Sequence, residues 1–260
     1  MLIWVIMFLV NCSWWHMHAQ DHNTTFLDLA YNHYKAGETT TFATIRDKEF
    51  NAALSLYLKG EKSNSSGKLY YNIANCYFQL GETPIAIFYY ERALLQIPRS
   101  SPCLYNLSCA QLKAGLSVED RWEPLWVDRM WPVAYRLSLL EIEKGYLFCI
   151  VGWFVTSVLW NITKNGQLTV SRRYLALIAF FCVLFIVYSN FWAPFEGVML
   201  PSAGLHTDEG KQYALIRPRP VLAGTKVKIY KVSSDRKWYL VGLGSSEEGY
   251  VPVENVRLLR

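Results

Sequence analysis

Apolar and polar positions along this chain follow three successive periods. Between Tyr70 and Leu80 the residues Tyr70, Ile73, Ala74, Tyr77 and Leu80 recur at steps of three and four, which predicts one apolar face of a helix. Gly81 then supplies a left-handed stop. A second helix is predicted at once: Thr83 is placed to cap it, Pro84 suits its first turn, and Ala86, Tyr90, Ala93 and Ile97 form its stripe before Pro98 ends it. Farther on, Gly145 to Ile162 and Tyr174 to Phe195 carry almost no polar positions. Each approaches the roughly 20 residues that a helix needs to cross about 30 Å of hydrocarbon. The last stretch alternates with period two. There "ALIRP", "TKVKIYKV", "KWYLVGL" and "EEGYVPVENVRLL" predict strands, divided by turn residues at Gly224, Ser233 to Asp235, and Ser245-Ser246.

The helical pattern repeats. Gly115 stands 34 residues after Gly81, and Ala53 and Tyr57 each stand 33 residues before Ala86 and Tyr90. Small residues at Ala74 and Ala86 let two antiparallel helices approach, and the tyrosines fill the wedge between them. Tyr70 to Pro98 therefore resembles a tetratricopeptide repeat, with Tyr70, Ile73, Ala74, Tyr77, Gly81, Ala86, Tyr90, Ala93 and Pro98 as its packing residues. An earlier repeat is expected to begin with "TFLDLAYNHYKAG", ending at Gly37, and "TTTFATIRDK" is expected as an insertion in its turn. So short a solenoid leaves apolar ends to cover.

Composition agrees with membrane helices. Hydrophobic residues make up 52% of the chain and charged residues 18%, with ten tryptophans. The opening run "MLIWVIMFLV" is too short to span and is expected to be a secretory leader, cleaved after Ala19 or lipidated at Cys12. Lys164, Arg172 and Arg173 lie in the connector between the two apolar runs, which carries no acidic residue. Positive connectors stay in the cytoplasm. The expected location is the bacterial inner membrane, with both soluble parts on its far side.

The expected organisation is a leader at 1–19, repeats at 20–118, a tryptophan-rich juxtamembrane segment at 119–144, transmembrane helices at 145–163 and 174–195 around a cytoplasmic loop at 164–173, and a small barrel at 203–260. Within 119–144, Trp122, Trp126 and Trp131 fit either an aromatic belt at the membrane interface or a cap under the last repeat. Cys76, Cys103 and Cys109 are expected as free thiols in the repeats. The fold class is thus a multidomain membrane protein: an all-α solenoid, a transmembrane hairpin and a small all-β barrel.

The motif "GYVPVENV", Gly249 to Val256, resembles the final turn and one-turn helix of a bacterial SH3-like domain. Trp238, Tyr250 and Pro252 are the candidates for a ligand groove there, with Trp238 expected to be exposed and Tyr250 expected to pack in the core. From Lys211 to Arg260, ten lysines and arginines face four acids, a net of +6. Such a surface suits anionic headgroups or cell-wall polymers, and the outward topology disfavours nucleic acid. Motifs for nucleophilic hydrolysis, zinc proteolysis and nucleotide binding are missing from the sequence. His16, His18 and His22 are too loosely spaced for a metal site, so no cofactor, no metal and no catalysis are expected.

The order of these parts resembles the BatE type of bacterial aerotolerance protein. That resemblance implies a non-catalytic scaffold that docks envelope proteins, including membrane partners of the von Willebrand factor A type, in a stress-related complex. The alternative reading is a peptidoglycan-binding module acting through the basic barrel.

Overall fold

The computed structural model describes residues 26–63, 65–116, 138–191, 195–244 and 247–259. The expected leader with Cys12, the histidines at 16, 18 and 22, and Trp122, Trp126, Trp131 and Trp192 lie outside these residues, as do Ser245 and Ser246. The described chain divides into two units, one of repeats and one that holds the apolar helices and the sheet.

In the first unit, helix α1 covers residues 26–39 and α2 covers Ala43–Ser63. Most of the expected turn insertion is therefore helical: only residues 40–42 separate the helices, and Ala43 onward forms the first turns of an extended α2. Gly37 is likewise no stop. It sits inside α1 because a Cβ there would lie 2.9 Å from the Phe50 ring of α2, so the missing side chain permits close approach.

Helix α3, Gly67–Gln79, begins at Ser66, whose hydroxyl accepts a hydrogen bond from the Leu69 amide at 3.3 Å. Gly81 has φ +84, and Gly115 has φ +74 after α5, Ser101–Lys113, so both glycines fill the predicted left-handed stops. Helix α4 covers Thr83–Leu94. Thr83 does not cap it as predicted, since its hydroxyl donates to the Gly81 carbonyl at 3.3 Å. Tyr70, Ile73, Ala74, Ala86, Tyr90 and Ala93 are all buried. Tyr77 is half-buried and stacks on Tyr89 with centroids 5.5 Å apart, and Pro98 follows α4. Burial of each large side chain in this core is worth roughly 1.5–3 kcal/mol.

In the second unit, Ser138 and Glu141 open helix α6, Leu139–Thr163, with a reciprocal capping box. Lys164, at φ 52, closes it, and helix α7, Gly166–Phe191, follows directly. The expected 164–173 loop thus shrinks to Lys164 and Asn165, because the polar residues from Gly166 to Arg173 continue the helix. At 1.5 Å per residue, 25 and 26 residues give lengths of about 37 and 39 Å. Both helices carry exposed apolar side chains along their length, such as Phe148, Phe154, Ile178 and Phe181. They are long and apolar enough to cross a membrane.

The sheet has five antiparallel strands in the order β4-β3-β2-β1-β5: β1 Phe195–Met199, β2 Lys226–Val232, β3 Trp238–Gly242, β4 Glu248–Pro252 and β5 Val256–Leu258. Strand β1 lies before the expected boundary at 203. "ALIRP" forms only an isolated bridge, from Leu215 to His206, rather than a strand. A single 3-10 turn, Val253–Asn255, links β4 to β5. Met199, Leu205, Val221, Val227, Val241 and Val251 form the core.

Candidate functional site

The first helix of each helical pair turns the same face toward one groove of about 370 Å³. Tyr31, Tyr34, Lys35 and Glu38 come from α1; Tyr71, Asn72, Asn75, Phe78 and Gln79 from α3; and Asn106 from α5. Spacings of three and four along α1 and α3 put these side chains on one helical face. Tyr57 and Tyr90, from α2 and α4, form the floor.

The floor holds a directed hydrogen-bond network. The Tyr90 hydroxyl donates to Asn75 Oδ1 at 2.6 Å, and Asn106 Nδ2 donates to the same oxygen at 3.0 Å and to the Tyr71 hydroxyl at 3.2 Å. With its oxygen engaged by two donors, the Asn75 amide plane is fixed and its NH₂ is left as a donor. Asn72, one helical turn away, has no partner among the described residues. Burial raises the pKa of Tyr34, Tyr57 and Tyr90, and the nearby Glu38 carboxylate adds to the effect at Tyr34. These phenols are consequently neutral donors throughout the physiological range.

The rim is charged. Lys35 donates to Glu38 at 2.6 Å, a contact that lifts the ammonium pKa above its usual value. Tyr31 is 51% exposed, with Lys35 Nζ 5.7 Å from its ring centroid. On another face, Arg92 donates to Glu61 at 2.6 Å and lies 4.3 Å from the Tyr70 ring centroid, tying α2 to the following pair. Amide donors, neutral phenols and exposed rings suit an extended polypeptide, whose carbonyls need donors and whose side chains need apolar contact.

Of the predicted repeat residues, only Tyr90 reaches this groove; Tyr70, Ile73, Ala74, Tyr77, Ala86 and Ala93 pack behind it. The groove-lining asparagines escaped sequence reading because they fall between the apolar positions that define the period. Asn72 and Asn75, three residues apart on α3, were the available signal.

On the sheet, Trp238 is 8% exposed and therefore is not the exposed ring expected for a ligand contact. His206 stands edge-on to it, with centroids 5.4 Å apart, because the 206 and 250 backbones exchange hydrogen bonds of 2.9 and 2.8 Å. Tyr250 and Pro252 are half-buried on β4. Lys164 closes α6, while Arg172 and Arg173 lie in the first two turns of α7. Among the described residues, no group of three histidine, cysteine or acidic side chains is placed to hold a metal ion. Cys76, Cys103 and Cys109 are free thiols.

Comparison with known proteins agrees with the helical reading. Residues 67–100 match the tetratricopeptide repeat family. The chain is also similar to the photosystem I assembly protein Ycf3 of Prochlorococcus marinus. The identity is 29% over 129 residues for strain MIT 9301, covering 44% of this chain and 72% of the relative, and 27% with the same coverage for strain MIT 9312. No solved structure matches at a significant level. The repeat and its distant relative support a protein-interaction adaptor, and no enzyme family is indicated.

Proposed function

We propose that this chain, an adaptor built on a tetratricopeptide repeat, is anchored in a bacterial inner membrane and receives an extended segment of an envelope protein in its groove. The observation that carries this reading is the pair of amides at Asn72 and Asn75 beside the exposed Tyr31 ring. Such groups hold a peptide backbone while leaving side-chain choice open. The photosystem I assembly proteins to which the chain is similar carry an assembly role in their name, which fits the same use of repeats.

Two apolar helices with a basic connection support anchoring, with α6 and α7 crossing the bilayer and both soluble parts outside the cytoplasm. The strand order and the 3-10 turn between β4 and β5 support an SH3-like module at the far end. Together these parts favour the BatE type of scaffold, with von Willebrand factor A-type membrane proteins as partners and stress tolerance as the setting.

A photo-crosslinking residue at position 72 tests the groove. It is expected to form adducts with one or a few envelope proteins, and Tyr31→Ala is expected to reduce them at least about tenfold. The same probe at Lys48, exposed on α2 and outside the groove, is expected to form none of these adducts. Equal adducts from both positions would refute groove docking.

A further inference from the structure

We propose that the connected end of the α6–α7 hairpin is a binding site for the phosphate of an anionic membrane phospholipid, a reading that rests on the membrane anchoring proposed above. Arg172 carries the argument. Its guanidinium carbon lies 5.7 Å from the Trp153 ring centroid and 5.2 Å from that of Trp160, two indoles seven residues apart on α6. Contact with ring faces occupies the flat faces of a guanidinium and leaves the N–H groups at its edge to seek acceptors.

Among the described residues, those edge donors have no acceptor. No hydrogen bond or ion pair is formed by Arg172 among the described residues, and its Nε is shielded from solvent without a partner. From Lys144 to Phe195 the chain contains no acidic residue, so the hairpin's carboxylates, Glu141 and Glu143, are confined to the opposite end of α6, away from the connector. Arg172 is the seventh residue of α7, about 9 Å along the helix from its start. With the connector at the bilayer surface, this depth is that of the headgroups and upper chains.

Two further cations complete the site. Lys164 Nζ lies 4.6 Å from the centroid of the same Trp160 ring, so that indole has both cations beside it. Arg173 is exposed on α7 next to Arg172. A phospholipid phosphate offers non-bridging oxygens in the spacing that a guanidinium fork accepts bidentately, while its acyl chains lie along exposed residues such as Phe154 and Leu177. Inorganic phosphate offers the same oxygens but nothing for the apolar surface.

The test uses the full chain purified in detergent, with native mass spectrometry after addition of phosphatidylglycerol or phosphatidylcholine. The wild type is expected to retain phosphatidylglycerol at least about fivefold more than phosphatidylcholine, and excess inorganic phosphate is expected not to displace it. Arg172→Gln is expected to remove that preference, and Arg172→Lys to weaken it, since lysine keeps the charge without the fork. Unchanged helical circular dichroism in both variants is the folding control; Lys164→Gln provides a second variant should Arg172→Gln lose helicity. A preference that survives both glutamine variants, equal retention of the two lipids, or displacement by inorganic phosphate would overturn the site. Carbonate extraction separates the premise: release of the wild type from membranes refutes anchoring and the site together, whereas retention without lipid preference refutes the site alone.

Discussion

At the scale of single residues, Asn75 joins the core to the groove. Its side-chain oxygen accepts from both Tyr90 and Asn106, so Asn75→Ala leaves the buried Tyr90 hydroxyl without an acceptor. The expected loss is about 1–3 kcal/mol, against about 0.5–1.5 kcal/mol for Tyr90→Phe, which leaves Asn75 bonded to Asn106. The midpoint of helical unfolding should rank the variants in that order; equal midpoints would deny the network its role. The buried thiols make a separate prediction. Burial pushes Cys76 and Cys103 up to about 12 from an ordinary 9.0. Between those values the unfolded chain gives up these protons and the folded chain keeps them, so their contribution to stability is intact below pH 9 and falls as pH rises toward 12. Neither thiol should be alkylated at pH 8 until denaturant is added, as peptide mass mapping would show.

At the scale of elements, glycines separate what sequence pattern reveals from what only packing reveals. Gly81 and Gly115 were legible as stops because a left-handed end follows a completed apolar stripe, and both have positive φ. Gly37 has the same sequence context yet lies within α1, because its partner is Phe50, 13 residues away. The two positions should respond differently to alanine. At Gly81 nothing lies within 4 Å of an added Cβ, so Gly81→Ala should cost only the backbone strain, about 1–2 kcal/mol. At Gly37 the added methyl would press on a Phe50 ring already packed 5.3 Å from Tyr34. An overpacking cost of about 1–3 kcal/mol there is partly offset by about 1 kcal/mol of helix propensity. Restoring stability to Gly37→Ala by adding Phe50→Leu, with no such rescue of Gly81→Ala, would confirm the distinction in the same unfolding measurement. Strand β1 was hidden for another reason: its apolar residues directly follow a long apolar run, and only its pairing with β2 and β5 marks it as strand. Similarly, nothing near Trp238 in sequence announces His206, which is brought against it by the bridge to Tyr250.

At the scale of the whole molecule, the order of parts was legible because apolar period is set locally, whereas the groove was not, because it joins α1, α3 and α5 through residues that no local period selects. Under the proposed anchoring, the direction in which α6 and α7 cross the bilayer decides which partners can reach that groove. Lys164, Arg172 and Arg173 cluster at the hairpin connection, and translocating three cations opposes the positive-inside bias. The residues just beyond α7 offer no competing positive charge, since no lysine or arginine occurs between Arg173 and Lys211. Periplasm-active reporters fused after Gly115 and after Arg260 are therefore expected to be active, and a reporter inserted at Gly166 inactive, with cytoplasm-active reporters giving the opposite pattern. Replacing all three cations with glutamine should raise the fraction of inverted molecules, because that change removes the bias while leaving the apolar lengths of α6 and α7 intact. An active periplasmic reporter at Gly166 in the unaltered chain would place the groove in the cytoplasm, and a search for its partner would then have to begin among cytoplasmic proteins.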